Sequence, residues 1–191
     1  MALGESPAER HRHIAGTFTD RVLGVRSWDA PSPVAGWVAR DVVRHLIDWT
    51  TDFVASGSGI ELPRGPSVDD DPVTAWRVHS DGVQALLDDP AATQRELSHP
   101  RIGRLALESA IDRFYTTDVF MHTWDLARAT GQDDRLDPDF CAELLAELEG
   151  LDERILRNPE VFGPRVGVPV NADVQTRLIG FIGRDPSWRP S

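Results

Sequence analysis

The chain has 191 residues, 40% of them hydrophobic, and a formal net charge of -11. That length and apolar content predict one folded domain with a real core and argue against a disordered chain. The negative charge argues against nucleic-acid and anionic-membrane partners, which call for clustered positive charge.

The first predicted helix runs from Glu5 to Leu23. Ser6-Pro7 supplies a cap followed by proline at the first helical position. Ile14, Phe18 and Val22 repeat as the buried stripe of an amphipathic helix. Pro31 and Pro33 break the chain before a second helix over Val38 to Ala55, with Val42, Leu46, Trp49 and Phe53 as its core stripe. Ser56 to Pro66 reads as a flexible loop. Asp70 or Asp71 caps a third helix that has Pro72 near its start and ends near Leu87. Val73, Trp76, Val83 and Leu87 are its expected buried residues. Arg95 to Gly103 alternates as a small hairpin would. A fourth helix is predicted from Arg104 to a C-cap at Gly131. Val119, Phe120 and Met121 in succession make it apolar nearly all round and central to its domain. A fifth helix follows Asp137-Pro138 and runs to about Arg157, with Leu144, Leu145, Leu148 and Leu151 facing the core. In the tail, Val161 to Val170 reads as extended and Asp173 to Ile182 as one short helix. Helices joined by short connections indicate an all-α bundle of the four-helix type with additions.

Chemistry concentrates in the fourth helix, in YTTDVFMHTWDLARATG, residues 115–131. Asp118 and His122 are four apart, so they share a helix face one turn from each other. A carboxylate and an imidazole placed this way can hold one side of a divalent metal, and two histidines with one carboxylate is a known donor set with open positions. The best third donor is His45 in WVARDVVRHLIDWT. Asp125, three residues after His122, is an alternative carboxylate. It lies about 10 Å of helix rise from Asp118, so both cannot bind one ion. Its blander role is a salt bridge or cap to Arg128 or a loop. Asp48 reads as an outer partner or a solvated residue. Trp37, Trp49 and Trp124 read as core, with Trp37 the one placed to line a pocket mouth. His11, His13, His79 and His99 read as surface residues, and Cys141, the one cysteine, as a small buried apolar side chain that excludes an internal disulfide.

Segments GWVARDVVRHLIDW (36–49), DVFMHTWDLARATG (118–131) and VFGPRVGVPVNADVQTRLIGFIGRDPSW (161–188) resemble the DinB-like superfamily, in particular the branch with the mycothiol-dependent maleylpyruvate isomerase metal-binding domain. The resemblance spans most of the chain. It implies an up-down-down-up DinB-like four-helix bundle over residues 1–191, with 159–191 a C-terminal extension packed on it. It implies a divalent metal held by His45, Asp118 and His122, where the isomerase branch has Glu in place of Asp118. It also implies a low-molecular-weight thiol, mycothiol or bacillithiol, at that metal. Zinc suits the donors best, while nickel, iron and manganese also accept them. Two neutral imidazoles, a carboxylate and a dication leave about +1, which an anionic co-ligand would neutralise.

The expected function is therefore metal-dependent thiol transfer or thiol-assisted isomerisation on a small-molecule substrate. The alternatives are a metal or small-ligand binding protein without catalysis, and a structural bundle with an empty polar stripe acting as a homodimer. No stretch of ~18 apolar residues offers a membrane span, and the polar opening MALGESPAERHRH carries no signal-peptide core. A cytoplasmic protein is expected. All 20 basic residues are arginine, which reads as the codon bias of a GC-rich genome.

Overall fold

The computed structural model describes residues 4, 6–157 and 162–190. The described residues are mostly helical with one small sheet. Glu5 lies outside the described residues, and helix α1 spans Pro7–Leu23. The Ser6 hydroxyl accepts from the Glu9 N–H and the Glu9 carboxylate accepts from the Ser6 N–H, so both donors at the helix start are satisfied. Helix α2 spans Ala39–Ser58, running past the predicted Ala55 until Gly59 takes a left-handed conformation at φ 71°. Helix α3 spans Pro72–Asp88, capped by the Asp71 carboxylate, which accepts from the Thr74 N–H at 3.0 Å. A single turn, α4 (Pro90–Thr93), leads into the hairpin of β1 (Glu96–His99) and β2 (Gly103–Ala106), which pair antiparallel with Leu97 opposite Leu105.

The predicted fourth helix starts later than Arg104, because Gly103–Ala106 is committed to the hairpin. It is continuous from Leu107 to Thr130 but not uniform. After α5 (Leu107–Ala110), Ile111–Thr116 is π-helical, and α6 spans Thr117–Thr130. One extra residue in a helix turns everything beyond it by about 100°. The π segment therefore sets which way Asp118 and His122 face. Gly131 ends α6 at φ 67°. The predicted fifth helix divides at Gly150 into α7 (Pro138–Glu149) and a turn, α8 (Glu153–Leu156). That division leaves Leu151 exposed at 38%, against the expectation that it faces the core. In the tail, the predicted extension begins with Val161, which lies outside the described residues; residues 162–169 are without helix or strand. Helix α9 (Val174–Phe181) is capped by Asp173, whose carboxylate accepts from the Thr176 N–H.

Helix α6 packs against α1 and α2, which both also pack against α3, and α9 packs against α7. The core holds Ile14, Phe18, Val22, Val42, Leu46, Trp76, Val83 and Leu87 as predicted, with Cys141. Burial pushes the Cys141 thiol up to about 12, so it is inert. His11 and His79 correct the sequence reading. They are 0% and 1% exposed, on the stripes that run through Ile14 and Phe18 and through Trp76 and Val83. Both rings pack on Tyr115, with centroids 5.4 and 5.6 Å away, and the His11 Nδ1 lies 2.9 Å from the Thr116 hydroxyl.

Burial lowers the pKa of both rings to about 4. Between that value and the ordinary one near 6.5, the unfolded chain binds more protons than the folded one. Stability therefore rises with pH across the window and is lost as pH falls through it, by up to about 3 kcal/mol per histidine. Urea unfolding from pH 7 to 4.5 should show a steady loss beginning near pH 6.5. His79→Leu should flatten that slope by roughly half. A flat profile in the wild type would mean that neither ring is buried uncharged.

Candidate metal centre

Helix α6 is buried on nearly every side, through Val119, Phe120, Met121, Trp124, Leu126 and Ala127. Polar side chains on such a helix must find partners inside the protein, because water cannot supply them. Asp118 finds them on α2. Its Oδ2 accepts from the Trp49 indole N–H at 2.9 Å and lies 3.1 Å from the His45 Nε2. Its Oδ1 lies 3.5 Å from the Nε2 of His122, one turn on. His45 and Trp49 are themselves one turn apart, so two helical i, i+4 pairs meet face to face. Trp37, just before α2, stacks on His122 at 17° with centroids 5.9 Å apart, and lies 5.1 Å from the His45 ring.

The group grades from buried to open. His122 is 4% exposed, whereas the Asp118 and His45 side chains are 20% and 34% exposed. Burial pushes the Asp118 carboxyl up, but the His122 and His45 imidazoles and the Trp49 N–H more than offset it, holding the group below the usual carboxylate value. It is ionised at neutral pH. Burial and the Asp118 charge together push Tyr115, one turn earlier, well above its ordinary value, so its phenol stays protonated.

The spacing of the donors suits a divalent ion. At metal–ligand distances of about 2.1 Å, neighbouring ligands stand ~3.0–3.5 Å apart. The observed 3.1 and 3.5 Å fall in that range. The donor atoms of His45, Asp118 and His122 all lie within 4.8 Å of one another. Even ligands on opposite sides of an ion stand only ~4.2 Å apart, so a bound ion would draw the widest pair of the set closer. The chemistry of the donors points the same way. The His122 Nδ1 lies 2.8 Å from the Asp125 carboxylate, at an angle too oblique for an aligned hydrogen bond. A carboxylate there favours the tautomer with the proton on Nδ1. The Nε2 lone pair then faces the Asp118 oxygen, and the two repel unless a cation lies between them.

Asp125 thus stands behind His122, on the opposite ring nitrogen from Asp118. It is fully buried; of its two expected partners, Arg128 goes elsewhere, to Asp134 and the Pro186 carbonyl, and a loop supplies the salt bridge instead. The residue that meets Asp125 is Arg184, with contacts of 3.1, 3.3 and 3.2 Å. Burial pushes the Asp125 carboxyl up; Arg184 first and His122 next outweigh that and hold it low. Asp48 is exposed, as a solvated residue would be. Trp124 is a core residue under the Arg128 guanidinium. Two residues were missed from sequence. Trp49 had a signal, lying one turn from His45, but an indole reads as core. Arg184 had none, being 59 residues from Asp125. Two surface concavities of about 510 and 300 Å³ lie along α1 and between α1 and α7, and none of the donors lines either.

The fold and the donor set define a class: helical proteins with a candidate metal centre between two packed helices. The family is more specific. The chain belongs to the mycothiol maleylpyruvate isomerase N-terminal domain family, whose model matches residues 11–127, a span that includes His45, Asp118, His122 and Asp125. It is also similar to two uncharacterised proteins of Mycobacterium tuberculosis, from strains CDC 1551 / Oshkosh and H37Rv. Each is 28% identical over 182 residues, covering 93% of this chain and 97% of the relative. No solved structure matches the chain. Among the described residues no helix is long and apolar enough to cross a membrane.

Loss of either imidazole should abolish stoichiometric zinc binding, measured by competition with a chromophoric chelator on His45→Ala and His122→Ala. Asp118→Asn should do nearly the same, while Asp125→Asn should weaken binding only about 10–100-fold. The reverse order for the two aspartates would mean that Asp125 is the ligand and Asp118 is not.

Proposed function

We propose that this protein is a divalent-metal-dependent enzyme of the DinB-like fold. In this reading it uses a low-molecular-weight thiol of the mycothiol class for transfer to, or isomerisation of, a small electrophilic substrate. The observation that carries the reading is the convergence of His45, Asp118 and His122 in a chain of this family. We take α1, α2, α3 and the Leu107–Thr130 helix as the up-down-down-up bundle, residues 1–191 as one domain, and 159–191 as its C-terminal extension.

Three side chains would hold the ion: His45 and His122 through Nε2, and Asp118 through a carboxylate oxygen. When bound, the ion supplies Lewis acidity and lowers the pKa of a thiol or water that coordinates it. The chain's own residues do the rest. Asp118 supplies the single negative charge, so the loaded site carries about +1 and favours an anionic partner. Zinc suits two imidazoles and a carboxylate, and the one cysteine of the chain, Cys141, lies buried on α7 and contributes nothing. The Trp49 N–H holds the Asp118 carboxylate in place, and Trp37 covers the His122 face. The approach lies on the His45 side, where exposure is greatest.

A thermal melt tests this. Zinc-loaded protein with mycothiol at about 100 times its dissociation constant should gain roughly 2.7 kcal/mol. The gain should need both metal and thiol, and His122→Ala should abolish it. Glutathione and bacillithiol serve as comparisons. An equal gain in the variant would put the thiol away from the metal. No gain with any thiol would leave water as the nucleophile. Stoichiometric thiol binding without turnover on any electrophile would make this a binding protein.

A further inference from the structure

The tail lies beyond the residues that the family model matches, yet it reaches the candidate metal centre. Its path is fixed by close backbone packing. The Val166 N–H donates to the Gly180 carbonyl at 2.9 Å, so residues 162–169 lie against α9. Gly183 ends α9 at φ 85°, and a Cβ there would stand 2.9–3.0 Å from backbone atoms of Gly163. Only glycine fits both the conformation and the approach. The turn at Gly183 delivers Arg184 to Asp125, and the Arg128 guanidinium donates to the Pro186 carbonyl at 3.1 Å beside it.

The result is a buried chain of contacts from the tail to the donor set. The Arg184 side chain is 15% exposed, Asp125 is 0% and His122 is 5%. Arg184 approaches the carboxylate through both Nε and Nη2, the paired geometry in which a guanidinium fixes orientation as well as charge. Asp125 in turn faces the ring nitrogen of His122 that a metal would not use. Partners of this kind set the tautomer and angle of a ligating histidine.

We propose that the C-terminal segment is a metal-coupled clamp, in which Arg184 is a positioning residue that acts through Asp125 to fix His122, so that docking of the tail and occupation of the metal site strengthen each other. The proposal rests on the metal reading above. Coupling is reciprocal by thermodynamic necessity: if the docked tail tightens metal binding by some factor, metal tightens tail docking by the same factor. The segment is suited to the task. It is short and attached mainly through α7, and its Arg184–Asp125 contact with α6 buries an ion pair.

The test uses the full-length chain with zinc alone as the probe. In the wild type, zinc should slow amide exchange over residues 178–186 along with α6. Arg184→Gln should weaken zinc binding about 10–100-fold and remove the metal-dependent protection of 178–186. Arg184→Lys keeps the charge without the fork and should recover part of both. Arg184→Gln leaves a buried carboxylate unpaired and is at risk of not folding, so the neutral pair Asp125→Asn with Arg184→Gln is measured beside it and should show the same weakening. Zinc affinity within about threefold of wild type in the folded pair variant overturns the clamp and leaves the metal site intact. Zinc binding in the wild type with no change in tail exchange overturns it as well. A wild type that binds no zinc overturns both readings together.

Discussion

Asp125 has no exposed surface, and a carboxylate cannot remain in a helical core without partners that repay its lost hydration. The rest of the site follows from how that debt is met. Arg184 comes from the far end of the chain and His122 from the previous turn of α6. Meeting both fixes the tail against the bundle and fixes the ring of His122. The other face of that ring is then committed to Asp118, which Trp49 and His45 hold from α2. One buried charge thus ties the tail, the central helix and α2 into a single arrangement.

The π segment Ile111–Thr116 belongs to the same arrangement. Leu107 and Ala110 before it, and Ile111 at its start, are buried apolar side chains. In an unbroken α-helix, the stripe they begin would continue through a different set of positions. An extra residue turns the helix by about 100°, which brings Tyr115 to the two buried histidines and Asp118 to α2. Such segments cost some hydrogen-bond geometry and persist where a side chain has to be re-aimed.

Much of this was legible in the sequence where the signal is local. Ser6-Pro7, Asp70 or Asp71 before Pro72, Asp137-Pro138 and Gly131 marked helix ends through capping chemistry, which depends on neighbours two to four residues away. The Asp118–His122 pair was legible for the same reason. The bulge, the division at Gly150 and the Asp125–Arg184 pair were not, because each is decided by packing between distant segments. His11 and His79 are an instructive miss. Their positions continue the apolar stripes of α1 and α3, so the spacing marked them as buried, but residue type was given more weight than position. In a bundle that can place a hydroxyl and a phenol beside an imidazole, position prevails.

Those two histidines also sharpen the case for the metal reading. Buried imidazoles alone are weak evidence of a ligand site, since His11 and His79 are more deeply buried than His45 and pack on Tyr115. Burial lowers their proton affinity until they are neutral, and a neutral ring can rest in a core beside Tyr115. His45 and His122 are placed differently. Both turn a ring nitrogen toward one ionised carboxylate, and the second nitrogen of His122 lies 2.8 Å from another. With a carboxylate beside its Nδ1, the His122 ring turns its Nε2 lone pair toward the ionised Asp118 oxygen. A divalent cation between the two relieves that opposition. The contrast between the two clusters, built by the same bundle a turn apart, makes His45, Asp118 and His122 a candidate metal centre and leaves His11 and His79 as core.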